Sequence, residues 1–212
     1  MTKMYEDMVI TLCSDYAAIA HQGQFRKDRI TPYISHPGRV AGFVYYLGNL
    51  NFLSVCAAWL HDVMEDCAKG QVGDDDYPFI IKNHETRDKD IRLFLLDNPN
   101  INKADGQIIL ELVRILTMSQ DKSIPKRERK EKYIESISQE GVESSILKYC
   151  DRLDNLTTVH YFSQGGFKWY IVDTQMIIDK LSEKVKAVNS NIHIQLERKL
   201  EAIKETYKKI YE

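Results

Sequence analysis

The feature that most constrains this chain is how rarely it is interrupted. Only 10 glycines and 5 prolines occur in 212 residues. Between them, apolar side chains recur three and four positions apart, the spacing of one helix face rather than the alternation of a strand. The pattern predicts an all-α fold. Met4, Met8, Leu12, Tyr16 and Ile19 form a first stripe, which Gly23 and a polar run to Ser35 interrupt just after His21. A second helix should begin at His36-Pro37, because proline is preorganised for a first turn, and continue through Val40, Val44 and Leu47 to Gly48. Asn51 is placed to cap a third, whose nearly unbroken apolar run from Phe52 to Leu60 predicts burial on most sides. Further helices are expected over 87–96, 106–117, 126–138 and 142–160. Gly165-Gly166 should break the chain before a last, long helical pattern over 169–211, with a highly charged end expected to protrude.

With 29 basic and 31 acidic side chains the formal charge is −2, which gives no general attraction to nucleic acid or to an anionic membrane. An anionic ligand would have to be held locally. No apolar run approaches eighteen residues and the amino terminus carries Lys3, Glu6 and Asp7, so a soluble, untargeted protein is expected. Cys13, Cys56, Cys67 and Cys150 form no CxxC pair and suit a reducing cytoplasm as inert, packed thiols. The last apolar stripe leaves room for a homo-oligomer, and Asp74-Asp75-Asp76 reads as a solvated loop.

Chemistry concentrates in three separated segments. His61-Asp62 closes the apolar third helix, and an imidazole beside a carboxylate offers two ligands for a divalent metal. Composition alone would place about one such pair in every two chains of this kind, so the neighbours decide. Glu65 and Asp66 follow four positions later; on a continuous helix each pair would share a face and gather four polar groups at one end. A solvated helix end accounts for them equally well. In Leu147-Lys148-Tyr149-Cys150-Asp151-Arg152-Leu153-Asp154-Asn155, Asp151 and Asn155 share a face; Asp151 could complete a metal site or form a surface ion pair with Lys148 or Arg152. His36 is ordinary as a packed histidine at a helix start. Arg26-Lys27, in the loop before it, would suit an anion, the guanidinium by a planar fork and the lysine as a point charge.

Taken in order, AHQGQFRKD, TPYISHP, AAWLHDVMED and LKYCDRLDN resemble the motifs of the HD-domain phosphohydrolases, specifically the hydrolase domain of the RelA/SpoT alarmone enzymes. DKSIPKRERK, residues 121–130, is similar to the corresponding stretch of the single-domain metazoan forms, and the chain length agrees with that small form. The resemblance implies an HD-type helical bundle with a long C-terminal helix: one domain over 1–212, with a motif core at 15–160 and a helical extension at 166–212. It implies a divalent metal, most often manganese, with iron or zinc as alternatives, held by His36, His61, Asp62 and Asp151. Glu65 and Asp66 match the family's catalytic acidic pair. Arg26, Lys27, Asn155 and Thr158 match positions that engage the nucleotide, Arg26 by packing against the base.

The implied reaction is hydrolysis of the 3′-pyrophosphate of ppGpp or pppGpp to GDP or GTP and pyrophosphate. Alternatives are another nucleotide, for example the 2′-phosphate of NADPH, and a non-catalytic nucleotide-binding domain. No nucleic-acid or membrane partner is expected. Two departures stand out: Asp154 replaces the histidine of the family's DRLHN signature, and Leu156-Thr157-Thr158 follows where Met-Arg-Thr is usual. An added acid and a missing arginine predict a cleft less favourable to phosphate. Lys126, Arg127 and Arg129 read as a solvated helix start, and Tyr161, Phe162, Phe167, Trp169 and Tyr170 as packing.

Overall fold

A computed structural model describes residues 2–66, 87–119 and 121–212, apart from the side chains of Asp66 and Arg87. The described residues form helices α1 (Lys3–Ala20), α2 (Ser35–Tyr46), α3 (Phe52–Leu60), α4 (Val63–Asp66), α5 (Arg87–Leu96), α6 (Lys103–Ile115), α7 (Lys126–Gln139), α8 (Val142–Asn155) and α9 (Gln164–Tyr211), with a 3₁₀ turn at Val159–Tyr161. Among them the only β pairing is an isolated bridge, Phe25 with Pro32. Cys67 and the Asp74-Asp75-Asp76 run lie outside the described residues. No described helix is long and apolar enough to cross a membrane.

The centre is α3. The Asn51 side chain accepts from the Ser54 amide and starts the helix. Seven of its nine residues are buried, and it packs against α1, α2, α6 and α8. Ala57 and Ala58, fully buried, let neighbouring helices approach, while Leu53, Val55 and Leu60 each contribute roughly 1.5–3 kcal/mol of apolar burial. A Cβ at Gly38 would meet the Trp59 ring at 3.0 Å, so that glycine lets α3 lie close to the first turn of α2. In this way the start of α2, the end of α3 and the middle of α8 are drawn together.

Three expectations are corrected. On α1 the buried face is Val9, Cys13, Tyr16 and Ala17, with Met4 and Met8 exposed; Tyr16 is buried as expected, but Val9, Cys13 and Ala17 take the inner positions in place of the methionines. The apolar helix closes at Leu60, and a turn at His61-Asp62 separates it from the single turn of α4, so His61 and Glu65 do not share one continuous helix face. Gly165-Gly166 lies inside the first turn of α9, where Ser163 accepts from the Gly166 amide and starts the helix earlier.

The long C-terminal helix is present and sharply bent. Asn189 has non-helical dihedrals (φ −148°, ψ 82°). Its amide donates to the Leu47 and Gly48 carbonyls at 2.6 and 3.3 Å, and its oxygen accepts from Ile192 N at 3.2 Å. One side chain thus ties the bend to the end of α2 and caps the second segment. The chain folds back: Phe167 lies 5.3 Å, centroid to centroid, from Tyr207, and Lys204 reaches Gln175 at 3.0 Å. The charged end therefore packs on the first half through Leu196, Leu200 and Tyr207 instead of protruding.

Candidate metal centre and nucleotide cleft

Positions far apart in sequence meet where α2, α3 and α8 converge. His36 Nε2 lies 3.2 Å from Asp62 Oδ2 and 3.3 Å from Asp151 Oδ1. His61 Nε2 lies 3.2 Å from Asp62 Oδ1 and 3.7 Å from Asp151 Oδ1. His36, His61 and Asp151 each offer a ligand atom within 4.8 Å of the others, and the two oxygens of Asp62 divide between the two rings. Bonds of about 2.1 Å to a shared ion put neighbouring ligand atoms roughly 3–3.5 Å apart; three of the four separations fall in that range and the His61–Asp151 one is slightly wider.

The other ring nitrogens settle which atom faces the site. His61 Nδ1 lies 2.7 Å from the Ala58 carbonyl, an acceptor only, and therefore donates. His36 Nδ1 lies 2.6 Å from Asp154 Oδ2. Both Nε2 atoms are buried and their nearest polar neighbours are the carboxylate oxygens of Asp62 and Asp151, so positive charge between them, as a proton or as a metal ion, is what satisfies the cluster. Burial disfavours a charged His36, yet Asp151, Asp154 and Asp62 raise its pKa to about 9. Burial opposes charge at His61 too, but Asp62 and Asp151 hold it well above the usual range. Against burial, His61 and His36 keep the Asp62 carboxyl well below its ordinary value, and Lys148 first, then the imidazoles, do the same for Asp151. The field here favours positive charge. A nitrogen and oxygen set without thiolate fits a divalent cation of the manganese, iron or zinc type.

The supporting contacts hold this geometry. Tyr33 Oη donates to Asp62 Oδ2 at 2.7 Å. Lys148 Nζ lies 2.6 Å from Asp151 Oδ2, and Asn155 Nδ2 donates to Asp151 Oδ1. The ion pair considered for Asp151 thus exists, but buried, on the oxygen opposite the imidazoles.

Above this floor opens a cleft of about 620 Å³, large enough for a nucleotide. Six cations line it: Arg26, Lys27, Lys126, Lys130, Lys148 and Arg152. Phe25, Tyr33, Phe162, Trp169 and Tyr170 supply aromatic surface. Lys126 stands 4.8 Å over the Trp169 ring, Lys27 5.8 Å over Phe162, and Arg152 5.0 Å over Tyr170. Glu65 lines the cleft beside Asp62, one carboxylate oxygen accepting from the Met118 amide. The Asp66 side chain lies outside the described residues.

The loop that brings Arg26 and Lys27 here is tightly built. Gly23, at φ 74°, turns the chain out of α1. Arg26 N bonds Thr31 O at 2.8 Å, and Asp28 accepts from the Ile30 and Thr31 amides at 2.9 Å each. Arg26 itself is buried, its Nη2 donating to Asn155 Oδ1 and Thr158 Oγ1 at 3.1 and 3.2 Å. Arg26, Asn155 and Thr158, read separately from sequence, thus form one bonded group on the cleft wall.

Two sequence expectations change here. Asp154 is fully buried, bonded to His36 and Arg39, and is not part of the cleft lining; its charge is compensated and does not oppose phosphate. Lys126, Phe162, Trp169 and Tyr170 line the cleft instead of serving only as solvated charge or packing; Phe167 does pack, against Tyr207. Sequence reasoning gave Tyr33, Lys130 and Arg39 no role. The signal for Tyr33 was its place three residues before His36, and Lys130 ends the basic DKSIPKRERK stretch; nothing local marked Arg39.

No family model matches the chain. Curated relatives include the guanosine-3′,5′-bis(diphosphate) 3′-pyrophosphohydrolases MESH1 of Drosophila melanogaster (28% identical over 192 residues, 87% of this chain and 89% of the relative), Xenopus tropicalis (29% over 201 residues, 93% and 94%) and Homo sapiens (28% over 197 residues, 92% and 90%). A solved structure of a metazoan SpoT ortholog that hydrolyses ppGpp superimposes with a TM-score of 0.67 at 26% identity, covering 92% of this chain and 94% of the other. By its helical fold and these relatives the chain is a hydrolase with the architecture of the solved ppGpp hydrolase. Within that class the chain is a relative of the metazoan alarmone hydrolases, which it matches over most of its length.

Proposed function

We propose that the protein, acting as a single HD-type domain over 1–212 in the cytoplasm, hydrolyses the 3′-pyrophosphate of ppGpp or pppGpp to give GDP or GTP and pyrophosphate. We assign manganese to His36, His61, Asp62 and Asp151; iron and zinc suit the same donors. One observation carries the reading: two buried imidazole Nε2 atoms converge on two aspartates at the floor of a cationic cleft. When bound there, a divalent cation supplies Lewis acidity, lowering the pKa of water and polarising a phosphate oxygen.

The chain's own groups do the rest. Glu65, anchored at the Met118 amide, takes the proton from the attacking water. The water oxygen bonds to the 3′-linked phosphorus, the bond to the ribose 3′-oxygen breaks, and the Glu65–Asp66 pair returns a proton to that oxygen as it leaves. Lys27, Lys126, Lys130 and Lys148 offset the charge of four phosphates, while Arg26, Asn155 and Thr158 fix the nucleoside end. The buried, compensated position of Asp154 weakens one of the two grounds for expecting a different nucleotide, the other being Thr157 where arginine is usual.

Purified protein with manganese, offered ppGpp, pppGpp and NADPH in competition, is the test. Preferred release of pyrophosphate from ppGpp, abolished in His61→Ala, supports the reading. Preferred release of phosphate from NADPH would reassign the substrate, and tight nucleotide binding without turnover would make this a binding domain.

A further inference from the structure

Asp154 stands where the family signature has histidine, and the structure gives it a task. Its Oδ2 lies 2.6 Å from His36 Nδ1, in the line His36 uses to turn Nε2 toward Asp62 and Asp151. The carboxylate is fully buried, a position tolerable only with compensation. Arg39 supplies it through Nε and Nη2, the latter at 3.2 Å, and Arg26 Nη2 adds a longer contact at 3.5 Å. The other candidate imidazole, His61, has only a peptide carbonyl behind it. Asp151 and Asp154 lie one turn apart on α8, so one helix offers a ligand and a group that orients another.

We infer that Asp154 is a positioning residue for the metal centre, fixing the tautomer and ring orientation of His36 and making its Nε2 a stronger donor to a divalent cation. A carboxylate behind a ligating imidazole has this effect generally, and its loss costs about 10- to 100-fold in metal affinity. The inference rests on the metal reading above. It assigns Arg39 a supporting part: half in solvent, it neutralises Asp154 without reaching the cleft.

The experiment measures Mn²⁺ affinity of the purified full chain, stripped with a chelator and titrated, for wild type, Asp154→Asn, His36→Ala and the double variant. The metal-free melting temperature reports folding separately. Asp154→Asn should weaken Mn²⁺ binding about 10- to 100-fold, and should add nothing once His36 is alanine, because the effect passes through that ring. Should two unpaired arginines unfold Asp154→Asn, the paired change Arg39→Gln with Asp154→Asn removes both charges and should show the same loss. Affinity kept within about twofold, or an equal further loss in the His36→Ala background, would overturn the inference. If Asp154→Asn binds normally while His36→Ala does not, the inference alone fails; if wild type shows no saturable Mn²⁺ binding, the metal reading fails with it.

Discussion

Lys130 offers a prediction whose size follows from its surroundings. It reaches the cleft from α7, 3.5 Å from Asp173 and 5.5 Å over the Tyr133 ring. Burial first, then the nearby Lys148 and Arg152 cations, push its ammonium down from the ordinary 10.5 to about 7. A bound polyphosphate favours the charged form, so substrate binding takes up a proton whenever the free enzyme has lost it. With a free-enzyme pKa of about 7, the apparent KM should therefore rise about tenfold between pH 6 and pH 8 from this group alone. Lys130→Arg keeps its charge throughout, since a guanidinium does not titrate in this range. The assay is KM for ppGpp against pH in both proteins. The ratio of wild type to variant removes the ionisations of substrate and metal that the two share. That ratio should climb with pH, and parallel profiles would refute the reasoning.

Three further perturbations test the frame around the site. A Cβ at Gly106 would stand 2.0 Å from the Leu95 carbonyl oxygen, so Gly106→Ala should lose about 1–3 kcal/mol in urea unfolding; a change under about 0.5 kcal/mol would contradict that close approach of α5 and α6. Asn189→Ala removes a bond to Leu47 O and the cap on Ile192 N and should cost about 1–2 kcal/mol, read by the same unfolding and absent if the bend is held elsewhere. Tyr33→Phe deletes the hydroxyl that donates to Asp62 Oδ2 and should weaken Mn²⁺ binding about tenfold with an unchanged metal-free melting temperature; unaltered affinity would take Tyr33 out of the support of that ligand.

Much of this architecture was legible because helices write themselves locally. The Asn51 cap, the apolar run of α3 and the start of α2 beside Pro37 are decided within a few residues, and the bounds of α5 follow from spacing alone. The order of His36, His61-Asp62 and Asp151 was legible too, although their meeting depends on three helices packing. What the string of residues could not convey is direction. Asp154 reads as one more acid beside the cleft, and only the crossing of α2 over α8 turns it away toward His36 and Arg39. The same holds for Arg26, whose bonds to Asn155 and Thr158 span more than a hundred residues. Asn189 sits inside an unbroken helical pattern, and its bend is tied to the carbonyls of Leu47 and Gly48, just past the end of α2. The methionines of α1 mislead for a related reason: two apolar rows suit the same helix, and the partner surface selects the smaller one.

The central claim is that a single cation joins side chains from α2, from α8 and from the turn that follows α3. Anomalous diffraction from crystals grown with Mn²⁺ tests it directly. The expected result is one peak within about 2–2.5 Å of His36 Nε2, His61 Nε2, an Asp62 oxygen and an Asp151 oxygen, lost in Asp62→Ala. A peak elsewhere, or none in a protein that still hydrolyses ppGpp, would contradict the account.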